Sequence, residues 1–231
     1  MAHKYGVAGF PTIVMTKPDG SEIDRIYGYA AGPEFVKTIR DFQADRNTLG
    51  DYLRRADTAA SPSLYYLIAD KYVGRKKFSD AEVYFNKILT MDPKNEKGYS
   101  DSALYSLADM KIRDKQYDVA KATYTKLMET YPQSPLADDA LFGVAVTNRR
   151  AEKYDDAING FKMFMSVYPT SELVPDAALY IAICTEKKGD TATALQMFQR
   201  YLVDFPTSSD TTWVKGQIER IKNPPAEQKG K

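Results

Sequence analysis

The sequence predicts a mainly α-helical protein, an α-solenoid of stacked helix pairs that follows a short β-hairpin and a helix. Three observations support this prediction. A four-fold repeat fills the last two thirds of the chain, small residues recur at fixed positions in every repeat, and a turn signal separates two extended runs near the start. Repeated helix pairs bury their apolar faces only against their neighbours, so we expect them to stack.

The first element is a predicted β-hairpin. Residues 13–16 form an apolar, β-branched run, residues 17–20 (Lys-Pro-Asp-Gly) are typical of a tight turn, and a second extended run covers residues 22–29. Gly32-Pro33-Glu34 then predicts the start of a helix. Four apolar residues follow on one face of that helix: Phe35, Val36, Ile39 and Phe42.

The boundaries between segments follow from composition. A second helical stretch carries Leu49, Tyr52 and Leu53, and the small and polar residues 56–61 come after it. We therefore expect a first segment at residues 1–56 and a repeat region at 62–222. The tail at 223–231 has two consecutive Pro residues and no apolar stripe, so we expect it to be disordered.

The repeat region has a period of 37 to 39 residues. One Ala marks each repeat, a second Ala stands twelve residues before it, an aromatic residue follows it after four positions and a Pro after twelve. In chain order the marking residues are Ala81, Ala120, Ala157 and Ala194; the earlier Ala residues are Ala69, Ala108, Ala145 and Ala182; the aromatic residues are Phe85, Tyr124, Phe161 and Phe198. Small residues let two helices approach closely, and Pro ends the second helix. Apolar residues from Trp213 to Ile221, at helical spacing, predict a last helix that caps the array.

This pattern resembles the tetratricopeptide repeat, although its period exceeds the ~34 residues usual in that family. The joins Tyr131-Pro132-x-Ser134, Tyr168-Pro169-x-Ser171 and Phe205-Pro206-x-Ser208 resemble the variant found in bacterial envelope proteins. Those include the Tol-Pal coordinator and the outer-membrane assembly lipoproteins. The resemblance implies a bacterial source, an extracytoplasmic setting and a scaffold function in protein binding.

The first 40 or so residues, from Lys4 to Phe42, resemble the C-terminal half of a thioredoxin domain. That family has a cis-Pro loop behind the substrate peptide, and the resemblance assigns this loop to Phe10, Pro11 and Thr12. The family's Cys-x-x-Cys would precede Lys4 and is not in this sequence. Two interpretations stay open: a non-enzymatic interaction module, or a thioredoxin-family thiol-disulfide oxidoreductase whose catalytic half is missing from this sequence.

Composition excludes several kinds of site. One His (His3) and one Cys (Cys184) cannot form a Cys/His metal site or a disulfide within the chain, and we expect no catalytic residue and no cofactor. A net charge of +1 gives no field that attracts nucleic acid, and no apolar run reaches the ~18 residues that cross a bilayer. We therefore expect a protein or peptide partner, without nucleic acid or membrane insertion. The protein would be cytoplasmic if the chain is complete and periplasmic if a signal-bearing part is missing.

The resemblance also implies candidate partner-binding residues, because the first helix of each tetratricopeptide pair lines the inner surface. The matching positions are Tyr66, Asp70, Tyr105, Asp109, Phe142, Val146, Arg149, Leu179 and Ile183, with Arg113 and Arg150 at the rim. Spacings of three and four residues put such positions on one helical face. Aromatic anchors beside charges suit a peptide-binding groove. Two alternatives stay open: the aromatic residues seal neighbouring repeats, and the basic residues complement helix C-termini.

Overall fold

The mainly α-helical fold is confirmed. A computed structural model describes residues 4, 5, 7 and 11–223, and in this part the chain forms two strands and eleven helices. In chain order they are β1 (Thr12–Thr16), β2 (Glu22–Tyr27), α1 (Gly32–Gln43), α2 (Leu49–Thr58), α3 (Pro62–Gly74), α4 (Phe78–Met91), α5 (Ser100–Arg113), α6 (Tyr117–Thr130), α7 (Ala137–Arg150), α8 (Tyr154–Val167), α9 (Val174–Lys187), α10 (Thr191–Asp204) and α11 (Thr211–Lys222).

The chain divides into two compact units, one up to Met110 and one from Lys111. This division falls within α5 and does not test the domain boundary predicted at residues 56–61, which stays a prediction. Two other expectations lie outside the described residues: Phe10 of the cis-Pro loop, and residues 224–231 of the disordered tail.

The predicted hairpin is present at the start of the first unit. β1 pairs antiparallel with β2, so that Thr12 lies opposite Tyr27, and Lys17 N–H donates to the carbonyl of Ser21 across the turn at 2.8 Å. Gly20 has a φ of 80°, in the left-handed region that favours glycine. The carbonyl of Pro11 accepts a hydrogen bond of 3.0 Å from Gly28 N–H, which closes the open end of the hairpin.

Side-chain caps start the two helices that join the hairpin segment to the repeats. The Thr48 hydroxyl accepts from the backbone N–H of Asp51 at the start of α2, and the Ser61 hydroxyl accepts from Leu64 at the start of α3. Helices α2 and α3 then pack around Tyr52, which is buried. The first helix pair, α3 and α4, packs Ala69 and Ala81 together at 0% exposure.

Each first helix of a repeat ends with the same backbone motif. Residues Lys76, Lys115 and Glu152 all have φ values between 56° and 60°, and the fourth repeat has Gly189 at this position with a φ of 94°. The next residue donates back to the carbonyl five positions earlier, as Lys77 does to Tyr72 at 3.0 Å. This is the Schellman ending of an α-helix, and it turns the chain into the second helix of every pair.

In the second unit, consecutive helices from α6 to α11 pack against one another. The helices come closest where side chains are smallest. A Cβ added to Gly143 would lie 2.6 Å from Cζ of Tyr124, and one added to Gly160 would lie 2.9 Å from Cβ of Ala145. The predicted capping helix, α11, buries Val214 and Ile218 against α10.

Candidate partner-binding face

The candidate face in the second unit begins on α7. Phe142, Val146, Arg149 and Arg150 are spaced three or four residues apart, so they lie along one side of this helix. Phe142 is partly buried, and its ring centroid lies 5.3 Å from those of Phe161 and Phe164 on α8. We call these four residues of α7, together with Tyr180 of α9, the first-helix face.

Arg149 is one of the two cations of the first-helix face. The guanidinium of Arg149 lies 4.3 Å from the ring centroid of Tyr180, which is a cation–π contact between successive first helices. Its Nε is buried and has no hydrogen-bond partner among the described residues, and Oδ1 of the neighbouring Asn148 is in the same state. The guanidinium is thus held in position by a ring while part of its hydrogen-bonding capacity stays unused.

The predicted partner-binding positions differ in how exposed their side chains are. Asp70, Arg113 and Arg150 are exposed; Tyr66, Tyr105, Asp109, Phe142, Val146, Arg149 and Ile183 are partly buried. Leu179 is 5% exposed and packs in the core around α9, α10 and α11. Ile183 packs against the same core. In the second unit, the accessible charge of the predicted set therefore lies on Arg113, Arg149 and Arg150.

In the first unit, Tyr66 joins one helix pair to the start of the next helix. Its hydroxyl hydrogen-bonds to that of Ser106 at 2.8 Å, and its ring centroid lies about 6 Å from those of Phe85 and Tyr99. These contacts favour the alternative in which aromatic residues seal neighbouring repeats. The contacts of Tyr66 with Ser106, Phe85 and Tyr99 cover part of its ring, so less of the ring is available to a partner.

The basic residues after each first helix also have internal partners. Lys188 pairs with Asp155, and Lys153 Nζ lies 3.9 Å from Asp118 Oδ1, so each cation faces an acid of the preceding repeat. A hydrogen bond from Lys121, together with the charges of Lys153 and Lys121, holds the pKa of Asp118 below its ordinary value. The basic residues that follow the first helices are therefore partly neutralised by acids of the neighbouring repeats.

Cys184, the single thiol, lies in the core of the second unit at 0% exposure. Burial raises the pKa of this thiol above its ordinary value, and the nearby charge of Arg149 opposes that shift. A buried neutral thiol is a poor nucleophile because the thiolate is the reactive form. The structure thus places Cys184 as a small apolar residue.

A buried cluster of charges in the first unit was not predicted from the sequence. Asp24 on β2 is 0% exposed, and its carboxylate lies 2.8 Å from Nζ of Lys71 on α3 and 2.6 Å from Nη2 of Arg75, the residue that follows α3. It also accepts a 2.7 Å hydrogen bond from the backbone N–H of Leu49. Glu22 pairs with Arg75 at 2.8 Å and with Arg25. We call Glu22, Asp24, Arg25, Lys71 and Arg75 the buried ion cluster.

The two acids of the buried ion cluster are held in their charged forms. Burial raises the pKa of Asp24, but hydrogen bonds and charge from Lys71 and Arg75 outweigh burial and leave the pKa below its ordinary value. The pKa of Glu22 is lowered in the same way, by Arg25 and Arg75 against the effect of burial. The concentration of charge in β2, at Glu22, Asp24 and Arg25, was the available signal. Simple alternation does not place these side chains, because the register of the hairpin shifts between the pairs Met15–Asp24 and Thr16–Glu22.

Two further features, a metal-binding cluster and a membrane-spanning helix, are absent from the described residues. No group of three or more His, Cys, Asp or Glu side chains among them could hold a metal ion. Of the described helices, none combines the length and the apolar character needed to cross a membrane.

Family models match four segments of the chain. Models described as tetratricopeptide repeat match residues 62–95 and 102–134, a model described as outer membrane lipoprotein matches residues 137–215, and a thioredoxin-like domain model matches residues 1–43. The chain therefore carries tetratricopeptide repeats, with a thioredoxin-like segment at its N-terminus. Both resemblances seen in the sequence are confirmed.

Solved structures show the same fold. The apo form of RapI superposes with a TM-score of 0.65 at 13% identity over 81% of this chain, which spans 57% of RapI. MamA gives a TM-score of 0.55 at 17% identity over 76% of this chain and 95% of MamA. MamA from Desulfovibrio magneticus RS-1, residues 41 to the end, gives 0.55 at 15% identity over 79% of this chain and 99% of that one. No curated protein matches the chain.

At such identities the likeness shows the fold, a tetratricopeptide solenoid, and nothing further. Tetratricopeptide repeats mediate protein–protein interactions, and scaffolds of this kind are non-enzymatic. The repeats thus support an interaction module as the class of this protein.

Proposed function

We propose that the chain is a protein-interaction module whose first-helix face binds a peptide or partner protein through an acidic group. The observation that carries this proposal is Arg149, whose guanidinium lies against Tyr180 and whose Nε has no partner among the described residues. A guanidinium fixed on an aromatic ring loses little conformational entropy when a carboxylate binds it. Arg150, which is exposed, adds a second cation beside it.

The apolar part of the proposed contact comes from the same helix. Val146 and Phe142 are partly buried, so each offers a limited apolar surface next to the charge of Arg149. A partner with an acidic residue near an apolar one would match this order along α7. Leu179 is buried and Ile183 is packed in the core, so we leave both out of the proposed contact.

The remaining predicted residues form a second, weaker candidate. Tyr66, Asp70, Tyr105 and Asp109 lie in the first unit, where Tyr66 is engaged with Ser106 and with two aromatic rings. Arg113 is exposed at the end of α5. We propose these positions as supporting contacts whose substitution weakens binding less than that of Arg149.

Selection from a random peptide-display library tests this function and gives the sequence preference of the partner in the same experiment. Peptides enriched on the full chain would be synthesised with a fluorophore, and their affinity measured by anisotropy. We expect enriched peptides to contain Asp or Glu, and we expect Arg149→Ala to weaken them about tenfold, mainly at low ionic strength. The matched control is Arg200→Ala on α10, an exposed arginine outside the first-helix face.

Two results would contradict the proposal. One is selected peptides without any acidic preference, and the other is equal loss of binding in Arg149→Ala and Arg200→Ala. Circular dichroism of each variant separates loss of binding from loss of fold.

The oxidoreductase alternative places its catalytic residues in a part that this sequence does not contain, and the thioredoxin-like match to residues 1–43 is the finding in its favour. The only cysteine, Cys184, is buried, and burial raises the pKa of its thiol. A single thiol cannot cycle between dithiol and disulfide within one chain. Pro11 and Thr12 of the expected cis-Pro loop serve here in the hairpin, where Pro11 accepts a hydrogen bond from Gly28 and Thr12 begins β1.

A further inference from the structure

A cleft of about 860 Å³ opens in the first unit, whereas the residues of the first-helix face belong to the second unit. Its walls come from the hairpin, from the connection between α1 and α2, and from the end of α3. Binding pockets for small molecules commonly have volumes of ~300–1,000 Å³, so this cleft has the size of a ligand site.

Basic side chains outnumber acidic ones in the lining of the cleft, although Arg25, Arg54 and Arg75 already pair with Glu22, Asp45 and Asp24. Six basic side chains contribute to it, against two carboxylates, those of Glu22 and Asp45. The basic residues are Lys4, Lys17, Arg25, Arg54, Arg75 and Lys77. Lys17 and Lys77 are exposed and form no ion pair with a described residue. An excess of cations around a concave surface favours an anionic ligand.

Arg25 is the buried member of this set. It is 6% exposed, its Nε donates to Glu22 Oε1 at 2.8 Å, and its Nη2 donates to the carbonyl of Tyr5 at 2.9 Å. Its Nη1 is buried and has no hydrogen-bond partner among the described residues. An unsatisfied guanidinium N–H is costly in a buried site, and an oxygen atom of a bound ligand would satisfy it.

The cleft also has an apolar floor. Ile23, Phe42, Leu49 and Leu53 line it from β2, α1 and α2. Phe42 is 4% exposed, and Lys71 Nζ lies 5.1 Å from its ring centroid, so the accessible apolar surface comes from Ile23, Leu49 and Leu53, which are partly buried. Apolar atoms next to a group of cations match a ligand that carries both an apolar group and a negative charge.

We propose that this cleft binds a small organic acid in which a carboxylate is joined to an apolar chain or ring. The carboxylate lies among Arg25, Lys17 and Lys77, and the apolar group lies over Leu49 and Leu53. This site does not depend on the proposed function, because it uses the hairpin segment and α2 rather than the first-helix face.

Titration calorimetry with decanoate on the full chain tests the proposal. We expect decanoate to bind, and decanol, which has the same chain length without the charge, to bind at least tenfold more weakly. The double variant Lys17→Glu/Lys77→Glu should weaken decanoate at least tenfold, because it reverses two charges on exposed side chains and leaves the buried Arg25 in place. Lys76→Glu is the matched control, since Lys76 is exposed and adjacent but does not line the cleft.

Three outcomes would overturn the proposal: no binding of decanoate at millimolar concentration, equal affinities for decanoate and decanol, or equal effects of the double variant and Lys76→Glu. A short peptide that ends in phenylalanine is included as a competitor. If it bound more tightly than decanoate, the assignment to a small acid would be wrong.

Discussion

Two regions of the molecule, the helices α7 to α9 and the attachment of the hairpin, are held together by different means. In the second unit, helices α7, α8 and α9 pack through rings and small residues, with Phe161 and Phe164 fully buried against Ala145 and Ala177. In the first unit, β2 is attached to α3 through the buried ion cluster, in which Asp24 is 0% exposed between Lys71 and Arg75.

The packing of α7, α8 and α9 and the attachment of the hairpin should respond differently to solution conditions. Apolar packing depends little on pH or salt, because neither changes the surface that is removed from water. A buried ion pair stabilises only while both partners keep their charges, and loss of one partner leaves the other charged and buried. The attachment of the hairpin to α3 should therefore be sensitive to pH, whereas the packing of α7, α8 and α9 should not.

The largest expected effect comes from the packing in the second unit. Phe161→Ala removes a ring at 0% exposure between three helices, and Phe→Ala substitutions in a core typically destabilise by about 3–5 kcal/mol. Urea unfolding monitored by circular dichroism measures the loss. Lys162→Ala, an exposed neighbour on the same helix, should leave the midpoint nearly unchanged. A small loss in Phe161→Ala would mean that the ring is not tightly packed.

The next effect comes from the buried ion cluster. Asp24→Asn keeps the shape of the side chain but leaves Lys71 and Arg75 without their shared charge, and breaking a buried pair typically costs about 3 kcal/mol or more. Hydrogen exchange should show faster exchange in β1, β2 and α3, with α8 and α9 unchanged. Asp70→Asn, an exposed acid on α3, serves as the control. Uniform exchange changes in both units would contradict a local role.

The pH dependence of the attachment follows from the same acids. The pKa values of Asp24 and Glu22 are lower in the folded protein than their ordinary values of 3.8 and 4.5. Groups with lowered pKa values stabilise the fold above those ordinary values, and the stabilisation is lost as pH falls through the lower, folded-state values. Thermal unfolding should therefore show the first unit losing stability below about pH 4. In Asp24→Asn this dependence should be weaker; an identical acid profile would contradict the assignment to the cluster.

The smallest effect concerns an exposed ion pair between repeats. Lys188 and Asp155 are 41% and 75% exposed in their side chains, and pairs of this kind typically contribute about 0.5 kcal/mol, reduced further by salt. Lys188→Ala should change the urea midpoint only slightly, and less at high ionic strength. A loss as large as that of Phe161→Ala would show that the second unit depends on charge after all.

The repeats could be predicted from the sequence because each position of the pattern occurs four times. The two Ala residues of each repeat lie at 0% exposure, as Ala145 and Ala157 do, and the helices end where the pattern predicts. The hairpin was predictable as well, because Lys17-Pro18-Asp19-Gly20 has few conformations other than a tight turn.

The buried ion cluster could not be predicted in the same way. Arg75 follows a helix in the sequence, where a basic residue complements the helix C-terminus, and its Nη1 does donate to the carbonyl of Lys71 at 2.9 Å. Its second role depends on residues more than 50 positions away, Glu22 and Asp24. Only tertiary packing brings them together. The contact between Arg149 and Tyr180 was missed for the same reason, since these residues lie on different helices.

The central claim is that partners bind the first-helix face, and photo-crosslinking tests it most directly. A benzophenone amino acid would replace Arg150 at the end of α7 or Lys162 on α8, both of which are exposed. Each variant would then be irradiated with the peptide selected on the wild-type chain. Binding at the first-helix face should give crosslinks from position 150 and few from position 162. Crosslinks from position 162 alone, with both variants folded, would contradict it.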